Sequence, residues 1–157
     1  MAARLVEIEE VYRTRYGAFL RVAIAILGEE QLARDAVHDG FVHVVVHRGR
    51  WRGDAPLEAW IWRIVVNAAR KRRSRESRAL RAEPPAEESS ENGTGDPVRT
   101  LVAALPERQR LVLFLRYYAD LDYHSIAEAL GISAGTVGAT LNAAHSALRE
   151  QVQEVQR

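Results

Sequence analysis

The sequence contains no cysteine, which rules out a disulfide framework, a thiolate metal site and a thiol nucleophile. It has a single lysine, Lys71, so nearly all of its positive charge is arginine, the better partner for phosphates and base edges. No apolar run approaches the ~20 residues of a membrane-spanning helix, and the start lacks the apolar core of a signal peptide. A soluble, cytoplasmic protein is therefore expected. A glycine-rich phosphate loop, a G-x-S-x-G elbow and an H-E-x-x-H helix are also missing. Nothing points to catalysis, and neither a metal nor a cofactor is expected.

What is present is charge unevenly spread over 157 residues. The net value is only +1. Residues 1–78 nevertheless hold fifteen basic against ten acidic side chains, residues 79–98 one against five, and residues 99–157 six against six. A basic front, an acidic middle and a neutral back suggest separate tasks.

Apolar residues recur at helical spacing through most of the chain. Leu5, Ile8, Val11, Tyr12, Tyr16, Phe19, Leu20, Ala23, Ile24 and Leu27 predict helix over 5–27, with a bend at Gly17 and a stop at Gly28. A second helix is expected over 29–47 and a loop over 48–55. Asp54 is the expected N-cap of a third helix, with Pro56 close behind and Leu57, Trp60, Ile61, Ile64, Val65 and Ala68 facing inward. From about residue 75 to residue 97 the pattern dissolves into polar, acidic, breaker-rich sequence that reads as a flexible linker. Short helices follow over 98–104 and 107–118. Residues 123–130 and 134–148 then carry two apolar stripes on either side of Gly131, the pattern of a helix-turn-helix. The fold class is all-α: a domain over 1–75, an acidic linker over 76–97 and a second domain over 98–157.

Two stretches could carry function. In the first, three arginines alternate with Trp51 and glycine in the loop over 48–53, and Arg63, Asn67, Arg70 and Lys71 recur at helical spacing on the helix that follows. A basic helix face beside an aromatic-bearing loop suits single-stranded or melting DNA: arginine neutralises phosphates, and a loop pocket takes an unstacked base. The same residues also fit a solvated basic face. The second stretch is D-A-V-H-D-G-F at 35–41, where Asp35, His38 and Asp39 share a face. Their spacing matches no strong metal motif, so a polar contact face for a protein partner is the better reading. His43, His47, His124 and His145 form no ligand pattern.

Several motifs in the right order give the chain an identifiable pattern over nearly its full length. D-A-V-H-D-G-F at 35–41 is similar to D-L-V-Q-E-T-F. W-R-G-D-A-P-L-E-A-W-I-W-R-I-V-V-N at 51–67 is similar to F-R-G-D-A-P-L-R-A-W-L-Y-R-I-A-R-N. L-P-E-R-Q-R at 105–110, S-I-A-E-A-L-G-I at 125–132 and G-T-V at 135–137 complete the set. The chain resembles a group IV, or extracytoplasmic-function, sigma factor of the sigma-70 family.

The resemblance implies specific roles at matching positions. Asp35, His38, Asp39 and Phe41 would dock on the clamp helices of the RNA polymerase β′ subunit. Trp51, Arg52, Gly53 and Asp54, with Arg63 and Asn67 and the neighbouring Arg70 and Lys71, would capture the promoter minus-ten element on the nontemplate strand. The C-terminal domain would bind the β flap and read the minus-thirty-five element through the helix over 134–148, with Thr136, Ala139, Thr140, Asn142, Ala143 and His145 reaching the bases. Core RNA polymerase and promoter DNA are the implied partners, and an anti-sigma factor is a common further one. One departure stands out. Where the family carries basic residues on the recognition helix, this chain has Gly138, Thr140, Ala143 and His145. A weak grip on the minus-thirty-five element follows, with a salt slope flatter by roughly 3 units. An ordinary helix-turn-helix regulator and a polymerase-binding decoy are the competing readings.

Overall fold

The computed structural model of the protein describes residues 2–82 and 97–157. Seven α-helices follow in chain order: α1 Leu5–Leu27, α2 Glu30–Val46, α3 Leu57–Ala82, α4 Pro97–Ala103, α5 Glu107–Tyr117, α6 Tyr123–Leu130 and α7 Ala134–Val155. A single 3-10 turn at Arg48–Arg50 opens the loop into α3. No strand occurs among the described residues, and no described helix is long and apolar enough to cross a membrane.

Helices α1, α2 and α3 form one bundle. Ala33, Ala36, Val37, Gly40, Phe41 and Val44 make the buried strip of α2. At the bundle's centre Trp62 stacks on Phe19 with ring centroids 3.9 Å apart, and Phe41 meets Phe19 edge-on at 5.2 Å. Each fully buried large side chain of this kind contributes about 1.5–3 kcal/mol. Gly40 sets the spacing of α2 and α3: a Cβ there would lie 3.1 Å from Val65 Cα and 3.0 Å from its Cγ2.

Helix α1 runs unbroken through Gly17, where a bend was expected. Packing on both sides outweighs the ~1 kcal/mol that a helical glycine costs. Gly28 ends the helix as anticipated, at φ +78° with its N–H on the Ile24 carbonyl. In α3 the first helical residue is Leu57, and the Pro56 carbonyl accepts from the Trp60 N–H. Asp54 therefore lies two residues before the cap position it was expected to fill.

The inward face of α3 also differs from expectation. Ala59, Ile61, Trp62, Val65, Val66 and Ala69 are buried, whereas Leu57, Trp60, Ile64 and Ala68 are only half-buried. A helix covered from several directions has no single apolar stripe to read. Helix α3 then continues to Ala82, past the expected break near residue 75, through arginine, glutamate and alanine, which are good helix formers. Of the linker expected over 76–97, residues 76–82 are helical, Pro97 opens α4, and residues 83–96 lie outside the described part of the chain.

In the C-terminal part, five consecutive residues of α5, from Leu111 to Leu115, are buried. A helix buried on every side needs partners on every side. Helix α5 has α6 and α7 of its own domain on some, and α1 of the N-terminal bundle on another. Gly131, at φ +68°, caps α6 and turns the chain toward α7. Asp122 and Ser133 cap the two helices by accepting from the N–H groups of Ser125 and Thr136. Helix α6 packs along α3. The two domains expected on a tether are in direct contact.

Candidate nucleic-acid interface

The loop into α3 is held by its own tryptophan. Trp51 is half-buried and donates from Nε1 to the Ala55 carbonyl at 3.0 Å. This bond leaves Arg52, Gly53 and Asp54 exposed on the loop tip. Gly53 has φ +82°, a left-handed conformation that glycine adopts without a Cβ penalty. Arg50, Trp51, Arg52, Asp54 and Trp60 line a pocket of about 140 Å³ there. That size is close to the ~150 Å³ at which an engineered cavity accepts benzene, so it suits one unstacked ring. Trp60, which sequence periodicity turned inward, forms part of this wall.

Arg63, Asn67, Arg70 and Lys71 are all exposed on α3, but they do not act as one face. Residues 59, 63, 66 and 70 follow one strip of the helix. Ala59 and Val66 on that strip are 1% exposed. Arg63 lies beside α6, its guanidinium 3.6 Å from where a Cβ on Gly131 would stand. Arg70 Nε donates to Glu107 Oε1 of α5 at 2.7 Å. The C-terminal domain therefore borders one side of the basic face, and Glu128 of α6 reaches the loop pocket itself.

On α7, Ala139, Asn142 and Ala143 are exposed and recur at helical spacing opposite the buried Val137, Leu141 and Ala144. They form a neutral face. Thr136 is half-buried and engaged at the helix cap, with its hydroxyl 2.8 Å from Ser133 Oγ. Thr140 is half-buried. His145 Nε2 lies 2.8 Å from the Tyr117 hydroxyl, which ties it to α5.

On α2, His38 is exposed. Asp35 accepts from Gln31 at 3.1 Å, and Asp39 accepts from Arg72 of α3 at 2.7 Å. Phe41 was expected to contact a partner, but it is 6% exposed and packs edge-on against Phe19 and Tyr12. Its side chain supports the helix from the core side, because an aromatic ring gains more by burial here than at the surface. Next to this segment, burial and the nearby His47, Arg50 and Lys71 hold the His43 imidazole below its ordinary pKa.

Sequence reasoning missed Arg15, Arg21, Glu58 and Glu107. Arg15 donates to Glu58 Oε1 at 2.6 Å and also to the Ala119 carbonyl, and Arg21 donates to the Tyr118 carbonyl at 3.4 Å. Their partners across the domains lie tens of residues away along the chain, so no local pattern flags them.

Comparison with known proteins matches residues 11–79 to Sigma-70 region 2 and residues 96–153 to Sigma-70, region 4. The RNA polymerase sigma-E factor of Streptomyces avermitilis is 30% identical over 95% of this chain and 87% of its own length. The sigma-E factor of Streptomyces coelicolor is 29% identical over 94% of this chain and 87% of its own. Among solved structures, the sigma factor RpoE of Bartonella quintana, in complex with the anti-sigma factor NepR, superposes with a TM-score of 0.73 at 18% identity. That match covers 95% of this chain and 98% of that one. The chain, with both regions in order, belongs to the sigma-70 family of RNA polymerase sigma factors, in its extracytoplasmic-function group.

Proposed function

We propose that this sigma factor opens promoters mainly through its N-terminal domain. The loop over 51–55 and the α3 side chains Arg63, Asn67, Arg70 and Lys71 would take up the nontemplate minus-ten strand. The observation that carries this reading is the ring-sized pocket of about 140 Å³ beside the exposed arginines. Arginine cations neutralise phosphates while the pocket receives a base removed from the stack. Asp35, His38 and Asp39 on α2 would dock on core polymerase, with Phe41 holding that helix in place. The exposed α7 residues Ala139, Asn142 and Ala143 would contribute a weaker, sequence-sensing contact at the minus-thirty-five element. Asparagine can bond adenine, and alanine can touch a thymine methyl, but without cations the face gains little from counterion release. The chain itself makes and breaks no covalent bond, and polymerization chemistry stays with the polymerase. Its place of work is the nucleoid, and an anti-sigma factor is a natural regulator.

Run-off transcription with purified core polymerase tests the reading. Product should depend on this chain. Trp51→Ala and Asn67→Ala should each cut promoter opening, read by permanganate reactivity, while polymerase binding is spared. If both variants open promoters as well as the parent, the assigned pocket is wrong. Repression or silence in place of product would favour the regulator and decoy readings.

A further inference from the structure

We propose that the chain masks its own DNA-opening face, with arginines of the N-terminal bundle clasping helix α5 at both ends. This rests on the assignment of the minus-ten surface made above. At the α5 N-terminus, Glu107 accepts from Arg70 of α3 at 2.7 Å. At its C-terminus, the Tyr118 and Ala119 carbonyls accept from Arg21 and Arg15 of α1. Each contact suits the helix: an acid sits at the positive end of the dipole, and cations meet the carbonyls at the negative end. With α5 held this way, α6 packs along α3, Gly131 lies over Arg63, and Glu128 faces the loop pocket. The carboxylates of Glu107 and Glu128 stand where DNA phosphates would approach, so the closed chain repels the strand it is built to bind.

Geometry makes this closed form distinct from any form that reads a promoter. The two promoter elements are roughly 25 base pairs apart, about 85 Å of duplex at ~3.4 Å per base pair. Packed helices such as α3 and α6 lie only ~10 Å apart. One chain cannot hold both elements while α6 covers α3, so the domains must separate on the promoter. The clasp is suited to release. The Arg70–Glu107 side chains are 43% and 47% exposed, so solvent and salt screen the pair. Docking of the two domains at separate sites on polymerase can then pull it open.

The test uses the full chain, which has no native cysteine. Dyes on Glu9→Cys and Glu150→Cys, both at exposed positions, report the distance between the domains. The comparison is with the same chain carrying Arg15→Ala, Arg21→Ala and Glu107→Arg, none of them at a proposed DNA contact. The parent should show high energy transfer and the clasp variant low transfer. Without polymerase, the variant should bind a single-stranded minus-ten oligonucleotide about tenfold tighter, as expected when a binding-competent form rises from roughly a tenth of the population. Circular dichroism identifies a variant that has merely unfolded; in that case Glu107→Arg alone is read the same way. Low transfer in the parent, unchanged transfer in a folded variant, or opening without tighter oligonucleotide binding would each overturn the clasp. Failure of the parent to support run-off transcription would instead overturn the function proposed above, and leaves the distance measurement standing.

Discussion

Arg70 Nε donates to Glu107 Oε1 across 2.7 Å, and with that one bond a cation of the DNA-facing helix is paired with a carboxylate of the opposite domain. On a promoter, with the domains apart, Arg70 becomes available to a phosphate. Arg70→Ala should therefore lower the salt slope of polymerase–promoter binding by about 1. Filter binding across a range of salt concentrations measures the slope, and an unchanged value means Arg70 never reaches DNA.

Trp60 and Trp62 differ by two positions and should separate stability from function. Trp62 is fully buried and stacks on Phe19, so Trp62→Ala should cost about 3–5 kcal/mol of unfolding free energy. Trp60 is half-buried beside the loop pocket. Trp60→Ala should cost less than half as much while impairing promoter opening. Urea denaturation ranks the two, and a larger loss at Trp60 would contradict the packing described.

Two helical glycines should respond in opposite directions to the same change. At Gly17 a new methyl would meet only the flexible end of Arg21 at 3.3 Å, so Gly17→Ala should stabilise by up to about 1 kcal/mol. At Gly40 the methyl would press on the Val65 backbone, and Gly40→Ala should destabilise by about 1–3 kcal/mol. Shifts of the same sign in thermal melts would rule out the close approach of α2 and α3.

Asp122 caps α6, and its bond from the Ser125 N–H holds the carboxyl below its ordinary value of 3.8. The folded chain thus releases this proton more readily than the unfolded one. The cap's contribution is fully present above 3.8 and is lost as pH falls through the lower folded value. Asp122→Ala should cost about 1 kcal/mol at neutral pH, and the difference from the parent should narrow in acid. A gap that stays constant from pH 6 to pH 2 would show that the side chain does not cap as an anion.

The sequence by itself determined the helices, their order and the family. Apolar spacing, Gly28 and Gly131 at helix ends, and the motifs at 35–41, 51–67 and 125–132 are local signals, and local signals survive in a linear reading. It also placed Trp51, Arg63 and Asn67 in one neighbourhood and showed the recognition helix to be poor in cations. Only the tertiary structure decided which side of α3 is buried, because that helix is covered from several directions and its apolar residues form no single stripe. It alone moved Phe41 into the core and Trp60 to the pocket wall, and it alone brought Arg70 to Glu107 and Arg15 to Ala119. Those pairs are 37 and 104 residues apart. Contacts at such separations depend on how whole domains dock, and no spacing rule records them.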